Sequence, residues 1–127
     1  MNIFGVGTDI VSVDRIKNSL KNKNFINRIF NKKEVLKCGK NNNSINCYAK
    51  RFAAKEAFSK ALGTGISNGI NFNEIVVLNK KSGKPYISVI GQTKKILVKK
   101  FKKKKSKISL SLSDEKKYAV AFVTISL

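Results

Sequence analysis

The sequence predicts one α+β domain over residues 1–127, with a mostly antiparallel sheet and helices packed on one face of it. A chain of 127 residues suits a single domain, and it contains no Pro/Gly/Ser-rich linker that would divide it in two. Strand-like apolar segments stand at both ends of the chain, and helical patterns occupy much of the length between them. Runs of helices and runs of strands, rather than a regular alternation of the two, indicate the α+β class.

The first half of the chain predicts one strand followed by helices. Apolar residues with small residues between them form the segment Ile3–Ile10, which is typical of a buried strand. Helices are predicted over Val13–Lys21, over Phe25–Phe30, from a capping box at Asn31 to near Gly39, and over Ile45–Leu62. Gly63 is the predicted C-cap of the last and longest helix. Alanine recurs there at every fourth position from Ala49 to Ala61, which predicts a narrow face that another element can approach closely.

The second half predicts a hairpin, a helix and two further strands. These elements are a strand over Phe72–Leu78, a turn at Asn79–Lys84, a strand over Pro85–Ile90, a helix over Gln92–Lys105, and strands over Ile108–Ser113 and Tyr118–Leu127. Pro85 opens its strand, where a missing N–H is tolerated. Strict alternation in the fourth strand predicts one wet face, whereas the last strand is expected to be more fully buried.

Positive charge dominates the composition, because 27 Lys and Arg against 7 Asp and Glu give a net charge of +20. Such a surplus is typical of proteins that bind nucleic acid, an anionic membrane or an acidic protein, although drift toward lysine codons explains it equally well. The tract Lys94–Lys107 supports one alternative function, a basic nucleic-acid-binding module. Its only aromatic residue, Phe101, is expected in the core, so the tract offers no platform for stacked bases and no specific nucleic acid is expected.

Composition excludes several classes of site. The chain contains no histidine, which rules out Ser-His-Asp triads and histidine metal sites. Cys38 and Cys47 have neither the number nor the spacing of a zinc site or a disulfide framework, so we expect free thiols in a reducing cytoplasm. No segment approaches the roughly 20 apolar residues of a membrane span, and Met1 leads straight into a strand-like segment. The sequence thus predicts a cytoplasmic protein with no membrane partner.

Glu56 is the first candidate for chemistry. It lies four residues before Lys60 on the long helix, and by spacing alone the two residues form an ordinary surface ion pair. That helix is apolar on several sides, however, and a buried charge needs a partner, a metal or a phosphate. The loop that follows, Gly63-Thr64-Gly65, contains glycines that let backbone approach a phosphate closely.

Asp9 is the second candidate, because it ends an apolar strand where a charge costs free energy unless something binds it. It is either a cap or turn residue before the helix at Val13 or, together with Glu56, a ligand of a divalent cation. Two carboxylates, completed by water and by phosphate oxygens of a substrate, are a usual way in which proteins hold Mg²⁺. The second interpretation predicts a magnesium site shared by Asp9 and Glu56.

These residues belong to longer motifs. The segment Gly7-Thr-Asp-Ile10 is followed by Arg51-Phe-Ala-Ala-Lys-Glu-Ala-Phe-Ser-Lys-Ala-Leu-Gly-Thr-Gly65, by Gly83-Lys-Pro-Tyr86 and by Ser109–Ala121. In order and spacing they resemble the motifs of the holo-acyl-carrier-protein synthases, which are phosphopantetheinyl transferases of a small trimeric type. The resemblance covers essentially the whole chain, and its central segment is long and specific.

The resemblance implies a magnesium-dependent transferase that moves the 4′-phosphopantetheine arm of coenzyme A to a serine of apo-acyl carrier protein, releasing 3′,5′-ADP, for fatty acid biosynthesis. It implies that Asp9 and Glu56 bind Mg²⁺ and that Lys60 stabilises the phosphate charge as the bond breaks. The serine proton passes to Glu56 or to a water beside the metal. The coenzyme A-binding residues that it implies are Arg51, Lys60, Gly63, Thr64, Gly65 and Pro85.

The resemblance also implies partners and an assembly. Relatives form trimers with sites shared between neighbouring subunits, so we expect a homotrimer. Acyl carrier proteins are acidic, and a basic surface on the first helix is the expected docking site. The docking residues are Arg15, Lys21 and Lys23. At Asp114, where many relatives carry a histidine, the chain departs from the pattern, and we interpret Asp114 as a turn residue. An interaction protein without activity is a further alternative, against which the intact Asp9, Glu56 and Lys60 argue.

Overall fold

The computed structural model describes residues 2–63 and 69–127. Its elements in chain order are β1 (Ile3–Ser12), α1 (Val13–Ser19), α2 (Lys23–Ile29), α3 (Lys32–Gly39), α4 (Ser44–Leu62), a 3₁₀ turn (Phe72–Glu74), β2 (Ile75–Asn79), β3 (Pro85–Val89), α5 (Gly91–Lys100), β4 (Lys107–Asp114) and β5 (Tyr118–Ser126). The predicted phosphate-contacting residues Thr64 and Gly65 lie outside the described residues. None of the helices in the described ranges combines the length and the apolar character needed to cross a membrane.

The five strands pair antiparallel, as predicted, but they form two sheets instead of one. The larger sheet has the order β1-β5-β4, and the smaller one is the hairpin β2-β3. The long helix α4 packs across β1 and β5, and α1 and α3 pack against α4 in turn. This confirms the α+β class with helices on one face of a mostly antiparallel sheet.

The contact between β1 and α4 is unusually close because glycine faces alanine. A Cβ atom on Gly7 would overlap the carbonyl oxygen of Ala57, and one on Gly5 would overlap that of Ala61. The two alanines belong to the predicted narrow face of the helix, and both are buried. The absence of side chains on the strand therefore lets the two backbones approach each other, which sets the position of the residues next to them.

The outer face of the larger sheet carries exposed apolar side chains, so the expectation that the first strand is buried is wrong, whereas β5 is more fully buried than β4, as predicted. Phe122 of β5 is 45% exposed and pairs with Thr8, while Val6 and Ile10 of β1 are 51% and 64% exposed. Alternate residues of β5 such as Ala121 are fully buried beneath α4. The strand thus has one buried face and one apolar face turned away from the helices.

The described helix ends lie within two residues of the predicted ones, except for the C-terminal end of α5. The capping box at Asn31 forms as predicted, with the Glu34 carboxylate accepting from the backbone N–H of Asn31. Gly63 ends α4 with a φ of 79°, in the left-handed region that glycine adopts at low cost. Helix α5, predicted to run to Lys105, ends at Lys100 because Lys102 and Lys103 adopt positive φ and the N–H of Lys103 turns back to the carbonyl of Val98.

Cys38 and Cys47 form a disulfide, so the expectation of free thiols is wrong. Cys38 lies at the end of α3 and Cys47 lies in the first turn of α4. A short loop reverses the chain between these helices and brings the two Cα atoms within 5.4 Å of each other. A separation of nine residues belongs to no periodic pattern, and it is the packing of α3 on α4 that creates the proximity.

A buried ion pair fixes α4 against the small sheet. Lys55 and Glu34 are both fully buried, with their charged atoms 2.7 Å apart. The Lys55 ammonium also donates to the carbonyls of Phe72 and Ile75, and the second oxygen of Glu34 accepts from the N–H of Val77. Burial lowers the pKa of Lys55 to about 8, although the charge and the hydrogen bond of Glu34 act to raise it. The pair is fully satisfied, as buried charges need to be.

Candidate active site

Asp9, Glu56 and Lys60 come together where β1 crosses α4. The ammonium of Lys60 lies 3.1 Å from the Asp9 carboxylate and donates to the carbonyl of Thr8. Asp9 follows Gly7 by two residues, and Glu56 and Lys60 flank Ala57, so the close glycine–alanine contact brings the three side chains to one place. Asp9 lies within β1, and Ser12 caps α1, so Asp9 is not the helix cap.

An open cavity of about 350 Å³ lies beside these residues. Asp9 and Glu56 line it from one side, and Arg15 of α1 lines it as well. Its apolar wall includes Phe25 and Phe52, whose rings are tilted by 30° to each other with their centroids 5.9 Å apart. The cavity therefore combines two carboxylates, an arginine and an aromatic wall.

The electrostatic environment of Glu56 is unusual. Burial raises the pKa of Glu56 above its ordinary value, the nearby charge of Asp9 raises it further, and Lys60 opposes both effects. Two carboxylates whose negative charges repel each other across a cavity are stabilised by a cation placed between them. Lys60 supplies part of that positive charge, and its side chain remains 57% exposed, so it stays accessible to a ligand.

Asp9 and Glu56 fit a magnesium ion, because a cation between them would offset the repulsion of their charges. Hard carboxylate oxygens are the ligands that Mg²⁺ prefers, and Asp9 and Glu56 supply them from two different elements. Within residues 2–63 and 69–127, no third carboxylate or cysteine joins them. The remaining positions would therefore fall to water and to substrate oxygens, an arrangement that suits Mg²⁺ better than a closed protein cage does.

A second cavity, of about 470 Å³, is strongly basic. It lies among the end of α3, the start of α4 and the turn between β2 and β3. Five cationic residues and one acidic residue line it. They are Lys37, Lys50, Arg51, Lys80, Lys81 and Asp114. Such a concentration of cations is suited to a ligand with more than one phosphate group.

Arg51 is held firmly in the wall of this second cavity. One guanidinium nitrogen donates to the sulfur and the carbonyl oxygen of Cys47, and another donates to the side-chain oxygen of Asn79 at 2.8 Å. Burial lowers the pKa of Arg51, while the charge of Glu34 acts in the opposite direction. Its Nε is buried and has no hydrogen-bond partner among the described residues. Arg51 therefore has one N–H donor, at Nε, that none of its described contacts uses.

The predicted site residues thus divide into two groups within one chain. Asp9, Glu56 and Arg15 line the first cavity and Lys60 is paired with Asp9, whereas Arg51 lines the second cavity. The other predicted residues with a described position line neither cavity. Gly63 caps α4, Pro85 opens β3 opposite Asn79, and Lys21 and Lys23 are exposed on either side of the start of α2.

Sequence reasoning missed the basic cavity as a unit. Lys37, Lys50 and the pair Lys80–Lys81 come from three distant segments, and nothing in their spacing relates them. Arg15, by contrast, lies where the sequence predicts a docking residue, on the helix that follows the Asp9 strand, and it lines the first cavity beside the two carboxylates. Ser12 caps α1 and accepts from the N–H of Arg15, so the first turn of the helix starts just after the Asp9 strand.

Comparison with known proteins gives a consistent result. The family model described as the 4′-phosphopantetheinyl transferase superfamily matches residues 5–123. Among curated proteins, the holo-[acyl-carrier-protein] synthase of Pelagibacter ubique (strain HTCC1062) is 52% identical over 125 residues, covering 98% of each chain. The alternative of a nucleic-acid-binding module gains no support from these matches.

Solved structures agree with the fold. The crystal structure of a holo-[acyl-carrier-protein] synthase from Neisseria meningitidis superposes with a TM-score of 0.87 at 38% identity, covering 98% of this chain and 99% of that one. A holo-(acyl-carrier-protein) synthase from Bacillus anthracis, in complex with CoA (3′,5′-ADP), gives a TM-score of 0.79 at 34% identity, covering 98% and 97%.

Proposed function

The chain belongs to the 4′-phosphopantetheinyl transferase superfamily, and from this premise we propose that it is a holo-[acyl-carrier-protein] synthase. It transfers the 4′-phosphopantetheine arm of coenzyme A to a serine of apo-acyl carrier protein and releases 3′,5′-ADP. One observation carries the proposal: Asp9 of β1 and Glu56 of α4, distant in sequence, line one cavity, and Lys60 of α4 is paired with Asp9 beside it. The role in fatty acid biosynthesis is part of the same proposal, and so is the cytoplasmic location, which now rests on the family alone because Cys38 and Cys47 are paired.

In the proposed reaction, the carrier serine hydroxyl attacks the β-phosphorus of coenzyme A. A bond forms between the serine oxygen and phosphorus, the bond from phosphorus to the bridging oxygen breaks, and 3′,5′-ADP leaves with that oxygen. The serine proton passes to Glu56 or to a water beside it. Burial and the neighbouring charge of Asp9, which raise the pKa of Glu56, make its carboxylate a better proton acceptor.

Asp9 and Glu56 would hold Mg²⁺, which when bound neutralises phosphate charge and polarises the phosphorus under attack. Lys60 adds an accessible positive charge beside them, because its ammonium lies next to Asp9 and its side chain is 57% exposed. Arg15 faces the same cavity from α1, so an acidic carrier that binds this helix presents its serine next to the carboxylates. We assign carrier docking to Arg15, with Lys21 and Lys23 as flanking charges.

The nucleotide half of coenzyme A is assigned to the basic cavity, where Arg51 is held in place. Gly63, Thr64, Gly65 and Pro85 are also proposed to contact coenzyme A.

We propose a homotrimer in which the first cavity of one subunit and the second cavity of a neighbour form one site. The exposed apolar face around Val6, Ile10 and Phe122 supports self-association, since monomers rarely leave such a patch uncovered. A protein that is monomeric by light scattering and still fully active in transfer would contradict this assembly.

Mass spectrometry tests the proposed reaction directly. The full chain is incubated with an apo-acyl carrier protein, coenzyme A and Mg²⁺, and the carrier is expected to gain the mass of one phosphopantetheine group. A carrier variant whose acceptor serine is replaced by alanine is the control and should gain nothing. An unmodified apo-carrier after prolonged incubation would overturn the proposed function.

A further inference from the structure

The basic cavity contains one residue of the wrong sign for a phosphate site. Five of the charged residues that line it are cationic, and Asp114 is the single acidic one. Asp114 is the last residue of β4, and the turn role expected for it from the sequence leaves its side chain without a function. Its carboxylate faces the same space that the proposed function assigns to the phosphate-bearing half of coenzyme A.

The contacts of Asp114 are specific. One carboxylate oxygen accepts a hydrogen bond of 2.8 Å from the side-chain amide of Asn46, and the other lies 3.5 Å from the ammonium of Lys50. Lys50 and Asn46 are both on α4, one helical turn apart, so Asp114 contacts two successive turns of that helix, and of these two partners Lys50 lines the cavity. Neither side chain of the ion pair is fully buried, with 31% of Lys50 and 27% of Asp114 exposed.

We infer that Asp114 limits the affinity of this cavity for the nucleotide by neutralising Lys50. A phosphate that enters must either compete with the carboxylate for Lys50 or accept a cavity with one fewer effective positive charge. Asp114 is therefore an affinity-determining residue, which keeps the product 3′,5′-ADP from binding too tightly. The inference rests on the proposed function, because it takes the nucleotide half of coenzyme A as the occupant of the cavity.

The variant Asp114→Asn isolates the charge. Its side-chain oxygen can still accept the hydrogen bond from Asn46, so the turn keeps its contact while Lys50 loses its counter-ion. Calorimetric titration of the full chain with 3′,5′-ADP should show a Kd about fivefold lower than that of the wild type at low ionic strength, the size expected for one partly screened charge. The gain should shrink as salt is added.

The matched control is Glu115→Gln, which removes the same charge from the next residue. Glu115 is exposed and does not line the cavity, so its Kd should stay close to that of the wild type. A second control is the Lys50→Met background, in which Asp114→Asn should improve binding by less than twofold because its target is gone. An equal gain with and without Lys50 overturns the inference, as does an equal gain from Glu115→Gln.

Weaker binding of 3′,5′-ADP by Asp114→Asn also overturns the inference, because the carboxylate would then favour binding. Unchanged binding overturns it as well, because the carboxylate would then act only in the turn. Asp114→Ser is the second variant, and loss of the folded circular dichroism signal in both variants would likewise assign Asp114 a purely structural role. Failure of the proposed function is distinguishable: there the wild type itself neither binds 3′,5′-ADP nor modifies the carrier. A wild type that does both, alongside an unaltered Asp114→Asn, rejects the inference alone.

Discussion

Two lysines of the same helix form ion pairs with opposite properties. Lys55 and its partner Glu34 are fully buried, and every contact of the pair is made within the chain. Lys60, five residues later, is 57% exposed, and its partner Asp9 stands at the edge of an open cavity. The comparison separates two uses of the same chemistry. A pair that is fully satisfied internally positions a helix, whereas one with unused hydrogen-bonding capacity beside a cavity is available to a ligand.

The largest expected effect is on activity, at the carboxylates beside the exposed Lys60. Asp9→Ala and Glu56→Ala should each lower phosphopantetheine transfer by about a thousandfold or more, because the substrate phosphates lose the metal that neutralises them. The free energy of unfolding should hardly fall, since removing one of two repelling carboxylates relieves strain between them. Transfer assays and urea denaturation measure the two quantities.

Chelation provides the control for the metal. Excess EDTA should reproduce the loss of activity in the wild type, and added Mg²⁺ should restore it. Full activity in EDTA would reject the metal site, and restored activity of Glu56→Ala by Mg²⁺ alone would reject the role of that carboxylate.

At the buried end, Lys55→Met should cost about 3–5 kcal/mol of the free energy of unfolding. The substitution leaves the Glu34 carboxylate buried without its counter-ion and leaves the carbonyls of Phe72 and Ile75 without their donor. Urea denaturation measures the loss. A change below 1 kcal/mol would show that the buried pair does not anchor α4, and the comparison with Lys60 would fail.

Lys60→Met is the matched variant on the same helix. Turnover should slow by on the order of a hundredfold, because a charge that stabilises the phosphate in the transition state is lost. The midpoint of thermal unfolding should change little, since an exposed ion pair contributes well under 1 kcal/mol. Steady-state kinetics and a thermal melt measure both effects. Activity within threefold of the wild type would make Lys60 an ordinary surface residue.

The two ion pairs also mark what the sequence can and cannot predict. The helix that carries both lysines follows from composition and ends at Gly63 as predicted, and the capping box that begins at Asn31 forms. The capping-box pattern predicts for Glu34 only the role of a helix cap. Its pairing with Lys55 depends on the packing of α3 against α4 and β2, which no local pattern encodes.

The candidate site shows the same division. The cost of two buried carboxylates, together with two separate motifs, related Asp9 to Glu56, and the structure supplies the physical cause of their proximity: Gly7 lets β1 approach Ala57 closely. The basic cavity had no such motif, because its lysines come from separate segments. The disulfide between Cys38 and Cys47 was missed for the same reason, since a reversal of the chain brings the two residues together.

Arg15 extends the comparison to a charge that has no partner in an ion pair within the described residues. Arg15→Glu should raise the KM for an acidic carrier protein by about tenfold or more, because attraction turns into repulsion at the cavity edge. The KM for coenzyme A should hardly move. Neutralising Lys102–Lys105, which lie beyond the end of α5, is the control and should do much less. A larger effect from the control would show that the carrier docks at the lysines after α5 and not at α1.

Glu74 is the case between the two extremes, and it carries the smallest expected effect. Its carboxylate caps α5, accepting hydrogen bonds from the backbone N–H groups of Gln92 and Thr93 and from the side chains of Thr93 and Asn71. Burial raises the pKa of Glu74, but these hydrogen bonds outweigh it and lower the pKa. Glu74→Gln should therefore cost about 1 kcal/mol at neutral pH, the size of one helix cap.

The pH dependence tests the cause of this effect. Because the pKa of Glu74 is lower in the folded state, its ionised form stabilises the fold above the unfolded-state pKa of about 4.3, and that stabilisation is lost as the pH falls through the folded-state pKa. The difference in unfolding free energy between wild type and Glu74→Gln should shrink over this range. Glu115→Gln, at an exposed position, should show almost no difference at either pH. A gap that stays constant from pH 7 to acid would mean that the cap does not depend on the charge, and that neutral hydrogen bonds alone hold α5.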